Sequence, residues 1–267
     1  MEQRSSAPTS TLDAVRRQGP NLWAVLRRTW RGSVISAFVS PLFYVVAMGV
    51  FLGGYIPGDP KTLEGAPSYL LFVVPGLIAS HAMQIAVGDM TYPVMAQIKW
   101  DKTYYSAVST PLTPRHLVAG QLVFVAVRLA VTCAVFLAVV AVFGVFDSWW
   151  GPILALLAQI AVGMAFAAIT MALTVRMENP EGFGVVFRLG VFPLFLFSGA
   201  FFPVANLGAL AWLAYLTPLW HGVSLSRMLT LGVVDPGLAC VHVAVLIGLI
   251  ALGYRLSCSG LERRLVA

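Results

Sequence analysis

The sequence predicts an all-α, polytopic membrane protein, and three observations carry that prediction. Hydrophobic residues make up 59% of the 267-residue chain and charged residues 10%, against roughly 25% charged in a soluble domain, and the mean hydropathy is +0.85. The apolar residues fall into runs of about the 20 residues that one bilayer-crossing helix needs. Most of the 17 Lys and Arg residues lie between those runs, a pattern that reports topology and leaves no basic stripe for nucleic acid.

Residues 1–20 read as a flexible N-terminus. Over 21–31, Leu22, Trp23, Leu26 and Trp30 recur at helical spacing opposite Arg27, Arg28 and Arg31, with Pro20 just ahead. Trp and Arg on one helix suit the headgroup layer, so an interfacial helix is expected there. The apolar run 34–55 is too long for a signal-peptide core and is expected to stay as the first span. Its Gly49 and Gly53 form a G-x-x-x-G spacing that permits close helix approach. Further spans are expected over 69–90, 117–145, 152–175, 185–202 and 238–257, with a tail at 258–267.

The stretch from Leu189 to Ser226 contains no Asp, Glu, Lys or Arg in 38 residues, too long for one crossing and barely enough for two. Counting it once gives six spans and places 13 of the 17 basic residues on one side, which the positive-inside rule assigns to the cytoplasm together with both termini. A seventh crossing would export the basic "LERRLVA" end. Residues 203–235 must then leave the fifth span and return without crossing. Gly199, Pro203, Asn206, Gly208 and Pro218 interrupt the helical run. Two re-entrant half-helices, about Leu207–Leu216 and Leu219–Leu231, and an amphipathic outer loop both meet that constraint.

The motifs of soluble catalysis are missing. No G-x-x-x-x-G-K-[ST], G-x-S-x-G or H-E-x-x-H occurs, no acid pair suggests acid–base work, and no catalytic residue is assigned. His81, His116, His221 and His242 are scattered without an i, i+4 pair, so no metal site is expected, and each reads as a local hydrogen-bonding residue. His221, beside Trp220, is the one placed to face a translocated polar group. Cys133, Cys240 and Cys258 lie in or beside apolar runs and form no C-x-x-C, so neither a disulfide framework nor a zinc site is suggested.

Two arginines interrupt the spans. An unpaired Arg128 in the third span costs about 2.5 to 3.5 kcal/mol on insertion scales, so it should face the bundle interior or a wet cavity. Asp89, at the end of the second span, is its nearest candidate partner, although at a different depth. Arg188 is expected to be shallower and to snorkel, or to pair with Glu178 or Glu181 in the adjacent loop. Between spans two and three, the region 94–108 is too long for a simple turn. A short helix is expected over Ala96 to Val108, presenting Trp100, Tyr104 and Tyr105 beside Lys99, Asp101 and Lys102 as an anchor for a partner protein or for the membrane interface.

Four stretches, "SPLFYVVAMGVFLGG", "SYLLFVVPGLIASHAM", "STPLTPRHLVAGQL" and "FLFSGAFFPVANLGALAWLAYLTPLWHGVSLSRMLTLG", occur in that order. Together they resemble the ABC-2 type transporter permeases, and within them the nodulation-factor exporter permease group, over about Trp23 to Gly232. The resemblance implies six spans, an interfacial helix before the first and a re-entrant helical hairpin before the sixth. It implies a cytoplasmic coupling element, here Lys99, Trp100, Asp101, Lys102, Thr103, Tyr104 and Tyr105, that contacts a separate ATPase. It also implies a re-entrant cap, here Ser198, Gly199, Phe202, Pro203, Asn206, Trp220, His221 and Arg227. Where that group is expected to carry Gly-Glu at the start of the third span, this chain has Gly120 and Gln121.

The resemblance and the missing motifs together predict a non-catalytic permease subunit of an ATP-driven exporter in the bacterial plasma (inner) membrane. Its partners would be two copies of a separately encoded ABC ATPase, a second permease (identical or not) and membrane lipid. ATP and Mg would sit on the ATPase, with no cofactor on this chain. The cargo would be amphipathic, such as a lipid-linked oligosaccharide or a hydrophobic drug. An intramembrane lipid or glycosyl transferase would need polar groups converging at one depth, which Asp89, Arg128 and His81 do not supply. An ion-coupled secondary transporter would need intramembrane acids, of which the spans hold hardly any.

Overall fold

The computed structural model describes residues 42–52, 60–144 and 150–265, with a few isolated positions besides. The expected N-terminus 1–20 lies outside them, as does the interfacial helix 21–31 apart from Arg27, which is helical. Every regular element among the described residues is a helix. In order these are α1 (Val45–Leu52), α2 (Tyr69–Trp100), α3 (Thr103–Val108), α4 (Pro114–Ala141), α5 (Gly151–Thr174), α6 (Pro180–Phe197), α7 (Val204–Tyr215), α8 (Pro218–Leu231) and α9 (Pro236–Leu265). Five of them, α2, α4, α5, α6 and α9, are long and apolar enough to cross a membrane.

The ends of these helices follow local chemistry. The Ser68 hydroxyl accepts from the Leu71 amide at the start of α2. The Thr113 amide donates to His116 Nδ1 at 3.3 Å, closing the first turn of α4. Thr217 Oγ1 accepts from the Trp220 amide at the start of α8, and Asp235 Oδ1 from the amides of Gly237 and Leu238 at the start of α9. Gly232, with φ of 70°, ends α8 in the left-handed conformation that glycine tolerates.

Some expected boundaries hold and others are corrected. The second span's regular α-helix is Tyr69–Met90, as expected; after a break at Thr91, helical winding resumes and runs to Trp100. The single helix expected over Ala96 to Val108 is two pieces, because Lys102 adopts a left-handed φ of 52°. The fifth span, expected at 185–202, is the helix Pro180–Phe197. It starts where extended Asn179 precedes Pro180, and it ends at Ser198 and Gly199, whose φ of +83° does not continue a helix. The expected tail continues α9 as helix as far as Leu265.

Helix α5 is the hub, packing against α2, α4, α8 and α9. Its run of Ala and Gly lets neighbours approach closely, the usual basis of helix association where lipid removes the hydrophobic drive. A Cβ on Gly222 of α8 would lie 1.9 Å from Val162 Cγ2, and one on Gly253 of α9 would lie 2.6 Å from the Ala168 backbone. Helix α6 stands apart. Only 11% of its apolar window is buried, and Val185, Leu189, Phe192 and Phe197 are exposed, a surface for lipid or another chain.

Candidate functional site

At one end of the bundle, four basic stretches are tied together. Lys99 Nζ, in the last turn of α2, donates to the Glu178 carbonyl at 3.1 Å and to Asn179 Oδ1 at 2.7 Å. The Tyr105 hydroxyl of α3 donates to the Arg264 carbonyl near the end of α9. Arg264 Nη1 in turn donates to the carbonyls of Val175 (3.1 Å) and Met177 (2.7 Å). It thereby supplies a cation and a donor to carbonyls that the end of α5 leaves unpaired. Arg176 Nη2 donates to the Leu256 carbonyl, and Arg115 pairs with Glu262 at the surface.

The expected coupling residues divide on this scaffold. Trp100 is 54% exposed, and Lys99, Asp101, Lys102, Thr103 and Tyr105 are exposed as well. Tyr104 is not: it is 4% exposed and belongs to the main apolar cluster. The turn at Lys102 restarts the helix so that Tyr104 points inward, and burial pushes its phenol pKa up. A cleft of about 360 Å³ opens beside Lys99, Lys102, Tyr105, Glu178 and Arg264.

At the opposite end, Arg227 of α8 organises the bend. It is 5% exposed and forms an ion pair with Glu64. Its Nε and Nη2 donate to the Phe72 carbonyl at 3.3 and 3.2 Å, its Nη2 also donates to the Gly199 carbonyl at 2.7 Å, and its guanidinium lies 3.9 Å from the Phe72 ring centroid. The Tyr69 hydroxyl donates to the Phe201 carbonyl at 3.0 Å. The bend is therefore seated on α2. Ser198 and Pro203 are buried, whereas Phe202 is half-buried and Asn206 exposed. His221 does not stand alone. Its Nδ1 lies 2.8 Å from Nδ1 of His242 on α9, and both rings meet Trp220 edge-on at about 5 Å. The histidines are thus less scattered than their sequence positions suggest, although among the described residues no three metal-ligating side chains gather.

Between these ends lies a polar layer. Arg128 Nη1 donates to Asp89 Oδ1 at 2.5 Å. Asp89 lies one residue before the end of the regular helix Tyr69–Met90, where the ion pair shows it within reach of Arg128. Asp89 Oδ2 and Arg128 Nε are buried with no further partner among the described residues. Of the two arrangements expected for Arg188, the local ion pair with Glu178 or Glu181 is not formed among the described residues. Arg188 is exposed, midway along α6.

Sequence reasoning did not single out Glu64, Phe72, Tyr69 or His242. Glu64 precedes the second span, and balancing acids as well as bases on each side would have offered it as a partner for Arg227. His221 and His242 flank the turn at Gly232 from opposite sides, so the α8–α9 hairpin carries a signal for that pair. The Phe72 and Gly199 contacts use backbone carbonyls, which no side-chain pattern encodes.

Comparison with known proteins gives two findings. The family model for ABC-2 type transporters matches residues 21–231. The chain is 28% identical to Nodulation protein J of Rhizobium leguminosarum bv. viciae over 256 residues, 93% of this chain and 96% of that one. It is 29% identical to Nodulation protein J of Sinorhizobium fredii over 255 residues, 92% and 95% of the two chains. No solved structure matches it.

Proposed function

Because the chain belongs to the ABC-2 type transporter family, and is thus the membrane subunit of a transporter, we propose that it is the permease of an ATP-driven exporter in a bacterial inner membrane. Two such permeases, identical or not, would form the pathway. Two copies of a separate ABC ATPase would bind on the cytoplasmic side, where both termini would lie. ATP and Mg belong to those ATPases. The cargo is an amphipathic molecule such as a lipid-linked oligosaccharide or a hydrophobic drug.

The observation that carries this reading is the exposure of Trp100 and Tyr105 on an element whose polar neighbours tie it to other helices. Lys99 links it to the loop ahead of α6, and Tyr105 and Arg264 link it to the ends of α9 and α5. A push on Trp100 would therefore be felt by three helices at once. At the other side, α7 and α8 would form the re-entrant hairpin, with the Arg227 contacts holding it to α2 as an outer seal.

The test is co-purification of the tagged permease with an ABC ATPase from its native host, followed by ATP hydrolysis in lipid with candidate amphiphiles. Recovery of the complex with stimulated hydrolysis is the expected result. A permease that exports cargo on an ion gradient with no ATPase bound would overturn the reading.

A further inference from the structure

Two buried histidines face each other between α8 and α9. His221 sits in the first turn of α8 and His242 in the second turn of α9, 8% and 1% exposed. Their Nδ1 atoms are 2.8 Å apart. Trp220 lies edge-on to both rings, and Tyr215 lies edge-on to Trp220. Helix α8 is fixed to α2 through Arg227 and to α5 through Ser226, which accepts from Gln159 at 2.7 Å. Among the described residues no hydrogen bond but that of the histidines joins α8 to α9.

Two imidazole nitrogens at that distance share one proton, so one ring donates and the other accepts. The Tyr215 carbonyl accepts from the His221 ring, through Nε2–H because Nδ1 faces His242. His221 Nδ1 is therefore the acceptor and His242 Nδ1–H the donor, which leaves His242 Nε2 with a bare lone pair. That Nε2 is buried without a partner among the described residues, a state rare enough in a folded interior to call for an explanation.

The surrounding elements supply no counter-charge. Helix α5, packed against both α8 and α9, carries no ionisable side chain. On α8, Arg227 is committed to Glu64. On α9, Asp235 accepts from the amides of its own first turn and Cys240 is exposed, while Tyr254 and the ionisable groups after it lie about three turns further on. Helix α7 offers Tyr215. On α2, Tyr69 donates to the Phe201 carbonyl, His81 lies against Phe136, and Asp89 holds Arg128. Helices α3 and α4 meet α9 at its other end, through Tyr105 and Arg115.

A first proton added at His242 Nε2 keeps the bridge, because the imidazolium still donates to His221 Nδ1. A second, on His221 Nδ1, would set two N–H groups face to face, and one ring must withdraw. We propose that His221 and His242 form a proton-operated latch between α8 and α9, closed while the bridge holds a single proton and released when both rings are imidazolium. Released rings reach water, where imidazole takes up its proton near a pH of about 6.5. The closed pair binds fewer protons than the released one, so raising the pH favours closure and lowering it through that range favours release. With two protons entering per release, the released population grows by up to about a hundredfold per pH unit below that range. The latch requires neither an ATPase nor a cargo.

The test uses the full chain, isotope-labelled at the histidine nitrogens, in phosphatidylcholine nanodiscs. At about pH 7.5 a nitrogen–nitrogen coupling across the bridge is expected in the magnetic resonance spectrum, and it should vanish by about pH 5. Over the same range amide hydrogen exchange of α8, corrected for the intrinsic effect of pH on exchange, should rise by up to about a hundredfold per pH unit, while that of α5 stays level. His242→Phe leaves one titrating ring and should limit the rise to about tenfold per unit. His221→Phe/His242→Phe should abolish it. A coupling that survives at about pH 5, α8 exchange in the wild type that does not respond to pH, or the same response in the double variant overturns the latch. The wild-type coupling and exchange need no variant, so they decide the matter even where a substitution prevents folding.

Discussion

Arg227 serves three acceptors on three separate stretches of chain. One guanidinium spans the Glu64 carboxylate and the carbonyls of Phe72 and Gly199, so its planar fork matters as much as its charge. Arg227→Ala would strand those carbonyls and is expected to destabilise the fold by about 3 kcal/mol, the cost of breaking a buried, hydrogen-bonded charge pair. Arg227→Lys should recover only part of that loss, and Glu64→Gln should cost less than either because Glu64 is 39% exposed. Denaturant unfolding in detergent measures all three, and equal stability of Arg227→Ala and wild type would contradict the assignment. Asp89 and Arg128 behave as a unit. Each single change to Leu strands a charge, whereas the Asp89→Leu/Arg128→Leu double change should lie closer to wild-type stability than either single one. Thermal melts of the four proteins read that coupling, and transport by the double variant separates a structural pair from a part of the cargo path.

At the scale of elements, the piece around residues 99–105 presents two aromatics with opposite consequences. Trp100→Ala removes exposed surface and is expected to leave the melting temperature unchanged while weakening ATPase retention on a pull-down. Tyr104→Ala empties a core position and should cost about 3 kcal/mol before any partner is added. If Tyr104→Ala melted like wild type, its burial would be wrong. In the centre, Gly222→Ala places a methyl where Val162 already sits, and an overpacking cost of about 1–3 kcal/mol is expected from the same melts. The helices themselves were largely legible, because Pro114, Pro152, Pro180, Pro218 and Pro236 lie in first turns and Gly232 ends α8. The inward turn of Tyr104 was not, since it depends on a left-handed Lys102, a conformation that lysine has no intrinsic preference to adopt.

On the scale of the whole molecule, the six spans expected from the sequence would fix sidedness. With Cys133, Cys240 and Cys258 replaced by Ser or Ala, Lys61→Cys should react with an impermeant maleimide in intact spheroplasts, and Arg263→Cys only after permeabilisation. Labelling of both from outside would require a seventh crossing. The sequence by itself determined the membrane class, the places of the apolar helices and the family, because each depends on local hydropathy, turn residues and contiguous motifs. Only the tertiary structure decided which polar groups meet. Arg227 finds Glu64 across 163 residues and His221 reaches His242 across the α8–α9 turn, whereas Asp89, 39 residues from Arg128, was a partner the sequence had already offered. Those meetings depend on how closely the helices approach α5 and on where α2 and α6 begin and end. The start and stop of α6 at Pro180 and Gly199 likewise place Arg188 midway along that helix, beside an open cleft.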